Sequence, residues 1–410
     1  MVPEGWCEVR VRDLKGANGR PVTKLGPFGS ALKKSDYTEA GYKVYGQQQV
    51  LAGDQNFGDY WIGQNKFDQL KACSVQEGDI LLSTMGSFGS VLRLSEGCAK
   101  GIINPRLLRL SVDPMIAAPE FLEVYLKSTL AERQFFGFAQ GGTMPAINGA
   151  SIGGLKLTLP PVAEQRKIAD ILSTWDRAIE VAEAQLGAAR TSKRALMQQL
   201  LAGKRRFPEF EGEEWKEVRL GDLGSFKKGK GLPKTEVGPM GQFPCILYGE
   251  LYTTYGEVIE ATVSHTDLDD GVISEAGDVL IPASTTTTGI DLAIASCVVK
   301  SGIRLGGDIN IFRRAGNSIN GAFLAYYLTH IRRHDMARFA QGITIVHLKG
   351  SDLLNIKIDI PPMEEQEKIV AVLLETEGQI IGLQSQITKL RTEKKALMQQ
   401  LLTGKRRVMV

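Results

Sequence analysis

The sequence predicts an α+β protein: two similar mixed domains joined by two long antiparallel coiled-coil helices, with a pseudo-two-fold internal duplication. Three observations predict it. Residues 159–206, LPPVAEQRKIADILSTWDRAIEVAEAQLGAARTSKRALMQQLLAGKRR, align without a gap with residues 360–407, IPPMEEQEKIVAVLLETEGQIIGLQSQITKLRTEKKALMQQLLTGKRR, at an offset of 201. Each repeat has no proline between its opening pair and its Lys-Arg-Arg end and carries one apolar stripe. Upstream of each, strand-like runs and helical stretches occur in mixed order, which argues against a doubly wound sheet.

The elements follow in order. Residues 1–160 form a first domain and 161–206 a first spacer helix. Residues 207–361 form a second domain and 362–410 a second spacer helix. Weaker anchors carry the duplication into the domains: Trp6 with Trp215, Gly78-Asp79-Ile80-Leu81 with Gly277-Asp278-Val279-Leu280, and Ala139-Gln140-Gly141 with Ala340-Gln341-Gly342. Between the anchors the two domains share few residues, so one fold is expected to carry two different surfaces. Strands are predicted at Asp79–Ser83, Leu107–Leu110, Leu155–Leu159, Asp278–Pro282, Ile309–Arg313 and Ile356–Ile360. Helices are predicted at Glu120–Ser128 and Ala322–Arg333.

The repeats read as helices from end to end. Pro160-Pro161 and Pro361-Pro362 stop the preceding strand, because proline neither donates to a ladder nor follows an α-conformer comfortably. Acids open each helix (Glu164; Glu364 and Glu365) and Lys and Arg close it, as the macrodipole favours. Gly203 and Gly404 stand where a C-cap belongs. Apolar residues recur in a heptad: Ile168, Leu172, Trp175, Ile179, Ala182, Leu186, Ala189, Leu196 and Leu200 in the first helix. Ile369, Leu373, Ile380, Leu383, Ile387, Leu390, Leu397 and Leu401 match them in the second, with Thr376 opposite Trp175. Lys193 and Lys394 interrupt the stripes at the same place, as a register-setting residue does. A helix of ~38 residues is ~57 Å long, and its stripe needs a partner. The other repeat is the simplest partner; a generic dimerising coiled coil is the alternative.

Composition excludes several classes. At 410 residues, with 43% hydrophobic and 23% charged residues and mean hydropathy −0.09, the chain is globular rather than disordered. Five scattered cysteines fit neither a disulfide framework nor a structural zinc site. No signal peptide and no apolar run long enough for a membrane helix appear, so the cytosol is expected. No phosphate-binding GxxxxGK[ST], no dinucleotide fingerprint and no Asn-Pro-Pro-aromatic tetrapeptide appears. His330 and His334 are spaced i,i+4, but beside Arg332 and Arg333 they read as a solvated helix face, not a metal site. No catalytic residue and no metal site is assigned.

Binding chemistry is better represented. Lys33 and Lys34 follow the Gly26–Ser30 loop, and Lys227, Lys228 and Lys230 sit early in the second domain. Lysine near glycine suits phosphate, because glycine lets the backbone approach and lysine neutralises charge. Gln47, Arg106, Tyr248, Thr285 and Thr286 are of the types that read base edges. Each also has a plainer reading, as a solvated loop cation or an edge-strand amide. A net charge of only +3 means that any such binding is local.

Two unlike domains alternating with two copies of a PP-x-x-EQ…ALMQQLL-x-GK helix resemble the DNA-specificity subunit of type I restriction–modification systems. GPFGSALKKSDY and ILYGELYTTYG add to the likeness, which covers the whole chain. The resemblance implies two target-recognition domains, each reading half of a bipartite, asymmetric site in double-stranded DNA. It places Ser30, Lys33, Lys34 and Gln140 in the first domain, and Lys227–Lys230, Tyr248 and Gln341 in the second. It implies two modification subunits as partners, with restriction subunits in the full complex and no membrane. S-adenosylmethionine, ATP and Mg would belong to those partners, so no cofactor is assigned to this chain. A specificity chain serving a fused methyltransferase–nuclease, a stand-alone enzyme and a structural coiled coil are the other readings. If spacer length sets the unread gap between half-sites, deleting one heptad from both helices is expected to shorten that gap, which methylome sequencing would register.

Overall fold

The computed structural model describes residues 2–85, 90–138 and 149–409. The chain divides into two compact units, residues 1–183 with 385–410 and residues 184–384. Each unit therefore holds one mixed domain, the start of one long helix and the end of the other.

The long helices are Val162–Leu200, of 39 residues, and Met363–Leu402, of 40. Every heptad position read from the sequence is buried or half-buried, while most residues between them are exposed. Within unit 1 the pairing is antiparallel: Asp176 meets Lys394, and Glu183 accepts from Arg391 at 2.5 Å. Within unit 2, Lys193 meets Glu377, the residue 201 positions beyond Asp176. The two stripe-interrupting lysines thus each find an acid on the other helix. Gly203 and Gly404 end the helices at φ of 65° and 66°, the left-handed conformation glycine adopts without a Cβ penalty.

Each unit begins by pairing its first strand with the strand before Pro-Pro: Cys7–Arg10 with Lys156–Leu159, and Lys216–Arg219 with Lys357–Ile360, both antiparallel. Unit 1 then has a four-stranded sheet ordered Thr23–Leu25, Leu107–Leu110, Ile80–Ser83, Val91–Arg93. A second sheet runs Tyr37–Thr38, Trp61–Ile62, Tyr42–Tyr45, Gly101–Ile103. Unit 2 has a five-stranded sheet, Gly224–Lys228, Ile309–Arg314, Val279–Pro282, Ser296–Val298, Val258–Ile259, and a four-stranded one, Ser264–Thr266, Phe243–Ile246, Arg304–Leu305, Val272–Ile273.

The strands after the Gly-Asp anchors are buried on both faces. Ile80 and Leu82 enter the core shared with Phe121 and Leu122, while Leu81 enters the other, with Tyr45 and Ile102. Val279 and Ile281 against Leu280 repeat the alternation, as a period of two requires. The helices over these sheets are Pro119–Leu126 and Gly321–His330. The second is a correction to the predicted Ala322–Arg333: the chain leaves the helix after His330 and starts another at Arg333–Arg338. His330 and His334 therefore lie on different helices, and His330 Nε2 is 2.7 Å from Glu257 instead.

Candidate nucleic-acid interface

The repeated motifs are structural locks. Gln165 donates to the Pro160 carbonyl at 2.8 Å and accepts from the Ala118 amide at 2.7 Å. Gln366 does the same with Pro361, at 2.9 Å, and Asn320, at 2.8 Å. Glu164 takes two bonds from Arg407, at 2.8 and 2.9 Å, and Glu365 two from Arg206, at 2.5 and 2.6 Å. Each repeat's Glu is thus held by the last arginine of the other repeat's GKRR. That arginine also lies over an indole, Trp6 or Trp215. Hydrogen bonds from Arg407 hold the Glu164 carboxyl below its ordinary range, and Glu365 raises the Arg206 guanidinium. These carboxylates and guanidiniums satisfy one another and leave the recognition chemistry to the loops.

In unit 1 the structure brings Lys34, Gln47 and Arg106 around one cleft of about 550 Å³, with Tyr37, Tyr60 and Asn104. Among the described lining residues none is acidic. Tyr37 and Tyr60 pack edge to face at 5.6 Å, and burial raises the Tyr37 phenol. Gln47 opens the helix Gln47–Ala52, and its amide donates to Ser83 Oγ at 2.7 Å and to the Met85 carbonyl. Its carbonyl oxygen accepts from Arg106 at 3.5 Å. Ser30 and Lys33 are exposed on the adjoining 3-10 turns. Gln140 lies outside the described residues.

In unit 2 Lys228, Lys230 and Tyr248 line a cleft of about 830 Å³ with Lys234, Glu250 and Asp308. Lys228 and Lys230 approach Asp308 and Asp270 at 3.6 and 3.7 Å, exposed pairs that cost little to exchange for phosphate. Leu232 and Asp308 hold φ of 58° and 56°, left-handed values that strain non-glycine residues and cluster at functional sites. Lys227, on the strand Gly224–Lys228, faces a neighbouring cleft with Lys228, His347 and Lys349. Thr285 pairs with Val346 beside that cleft; Thr286 is exposed in the turn, and Gln341 pairs with His347.

Two readings change. The Gly26 and Gly229 positions answer to the chain's own backbone: a Cβ there would come within 1.8 Å of the Asn104 carbonyl oxygen or 1.9 Å of that of Gly306. Asn104 and Lys234, which their residue types and loop positions already nominate, line these clefts, and Tyr60, His347 and Lys349 join them with no such signal in the sequence. Only the sheet order brings the last three in; no local spacing marks them. A cleft of about 1180 Å³ between the Leu14–Val22 loop and Gln76–Asp79 is larger. Its four acids, Glu77, Asp79, Asp113 and Glu120, outnumber Lys15, Arg20 and Arg166, so it is ill suited to phosphate.

A duplicated α+β frame with two differently lined basic clefts defines a class of tandem recognition protein. The family model for the type I restriction modification DNA specificity domain matches residues 3–188 and 212–390. The chain belongs to that family and carries the domain twice. The type I restriction enzyme MjaVIII specificity subunit of Methanocaldococcus jannaschii is 25% identical, over 99% of this chain and 94% of that protein. The HsdS subunit of Thermoanaerobacter tengcongensis matches in fold with a TM-score of 0.52 and 20% identity, over 98% of both chains. The type I S subunit from M. genitalium matches with a TM-score of 0.58 and 18% identity, over 98% of this chain and 96% of that one. Among the described residues, no group of three His, Cys, Asp or Glu is placed to hold a metal, and no helix is long and apolar enough to cross a membrane.

Proposed function

We propose that the chain is the sequence-reading subunit of a type I restriction–modification complex. In this reading each unit reads one half of a bipartite, asymmetric site in double-stranded DNA. The observation that carries it is the contrast between the copies: locks duplicated residue for residue, with differently composed basic clefts. Two unlike clefts on one frame suit two unlike half-sites. Lysines at the cleft mouths supply sequence-independent phosphate contacts, while amides, hydroxyls and tyrosine phenols read base edges.

The adenine methylation and cleavage then belong to modification and restriction subunits docked on this chain in the cytosol. S-adenosylmethionine, ATP and Mg are theirs. Mapping N6-methyladenine in cells with and without this gene tests the proposal. One bipartite motif is expected to lose methylation on deletion; an unchanged methylome overturns the reading. A specificity chain serving a fused methyltransferase–nuclease passes the same test, and purification of the partners separates the two.

A further inference from the structure

We propose that Ile343 is an apolar wedge that unit 2 presses against a base step of duplex DNA. The inference rests on the DNA-recognition reading and deepens it. Ile343 is 100% exposed, at the tip of the loop between the helix Arg333–Arg338 and the strand Val346–His347. The foot of this loop is tied down. Gln341 and His347 exchange both backbone bonds, at 2.9 and 2.7 Å, and Leu348 donates to the Ala283 carbonyl at 2.9 Å. Val346 is anchored in the core, 8% exposed. Gly342 turns the chain at φ 132°, where a Cβ would come within 2.0 Å of the Ile345 carbonyl oxygen. A β-branched side chain on such a support has few rotamers to lose on insertion.

A lone exposed apolar residue needs no explanation on an ordinary surface. The setting makes this one different. At the foot of the loop lies a cleft of about 330 Å³ lined by Lys227, Lys228, His347 and Lys349, with no acid among its described lining residues. These cations draw phosphates to the foot, which carries the tip toward the stacked bases. Apolar side chains wedged between base steps unstack and bend duplexes in this way, at the steps that deform most easily. A protein partner would call for a contiguous apolar patch, whereas Ile343 is flanked in sequence by Gly342 and Thr344, and the base of the loop pairs Val346 with Thr285. Ile345, 49% exposed, extends the apolar tip.

The test uses the full chain with its modification subunits and a duplex bearing the methylation-mapped motif, with 2-aminopurine moved through each half-site. One step in one half-site is expected to brighten with the native chain. Ile343→Ser is expected to abolish that signal and weaken binding about tenfold, and Ile343→Leu to restore both. An unchanged thermal midpoint for Ile343→Ser shows that the fold is intact, since the side chain touches no core. Equal fluorescence and affinity for Ile343→Ser overturn the wedge while leaving the recognition reading standing. Loss of the modification subunits at unchanged fluorescence reassigns the tip to a protein contact and also overturns it. Absence of any methylated motif sinks both readings.

Discussion

Compare how the two units treat the same two anchors. At the helix ends they agree almost atom for atom: Glu164 with Arg407 and Trp6 in unit 1, Glu365 with Arg206 and Trp215 in unit 2. At the Gly-Asp turns they agree in backbone and differ in partners. Asp79 and Asp278 accept the Gln76 and Glu275 amides at 2.9 and 2.8 Å. Asp79 then meets Arg20 at 3.1 Å and the buried Arg109 at 3.9 Å, and desolvation raises its carboxyl despite them. Asp278 is gripped at both oxygens by Arg313. The lesson is physical. A carboxylate and a guanidinium that satisfy each other allow neither to change alone, whereas a turn asks only for some cation within reach.

The agreement at the helix ends is not perfect, and its flaws give the sharpest tests. Arg206→Ala leaves the Glu365 carboxylate, 1% exposed, without its guanidinium, and is expected to cost about 3 kcal/mol in urea unfolding. Arg407→Ala is expected to cost less, because Arg407 is 44% exposed and Glu164 keeps the Trp6 indole as donor. Equal losses would break the comparison.

Acid probes the same lock. Since Arg407 holds the Glu164 carboxyl below its ordinary value of 4.5, ionised Glu164 stabilises unit 1 above that value. The contribution disappears as pH falls through the depressed folded-state pKa. Glu164→Gln is expected to flatten the acid limb of a thermal-midpoint profile; an unaltered limb would remove Glu164 from the account.

The tryptophans come next. Trp6 Nε1 donates to Glu164 at 3.1 Å, while Trp215 Nε1 is buried without a hydrogen-bond partner among the described residues. Trp6→Phe is expected to cost about 1 kcal/mol more than Trp215→Phe. Smallest of all, Lys193→Ala removes the partner of Glu377, a carboxylate 39% exposed and so solvent-screened, worth about 0.5 kcal/mol. Denaturation of the single and Glu377→Ala double variants would show a coupling of that size, or none if the pair is incidental.

The frame was legible in residue order and the sites only partly so. A period of 3.5 over ~38 residues names its own buried face, because one helix presents one stripe wherever it packs. The central strands declared themselves as short apolar runs, with ends off by a residue or two: Ile80–Ser83 and Val279–Pro282 begin one position later than expected. The break after His330 was not legible, since nothing between His330 and Arg333 is a helix breaker. Lys34 and Arg106 could be nominated by residue type. Their meeting with Gln47 in one cleft depends on pairing between strands far apart in sequence.

By itself, then, the sequence determined the duplication, the two helices with their seam, and the family. Repeats and periodicities are local quantities that survive whatever the chain packs against. Tertiary structure alone decided that EQ and GKRR are two halves of one lock, closed between residues 243 and 159 positions apart. It also decided which lysines share a cleft and that Ile343 stands clear of the core. Hydrogen bonding and burial are settled by what arrives from elsewhere in the chain, and no spacing within a repeat carries that information.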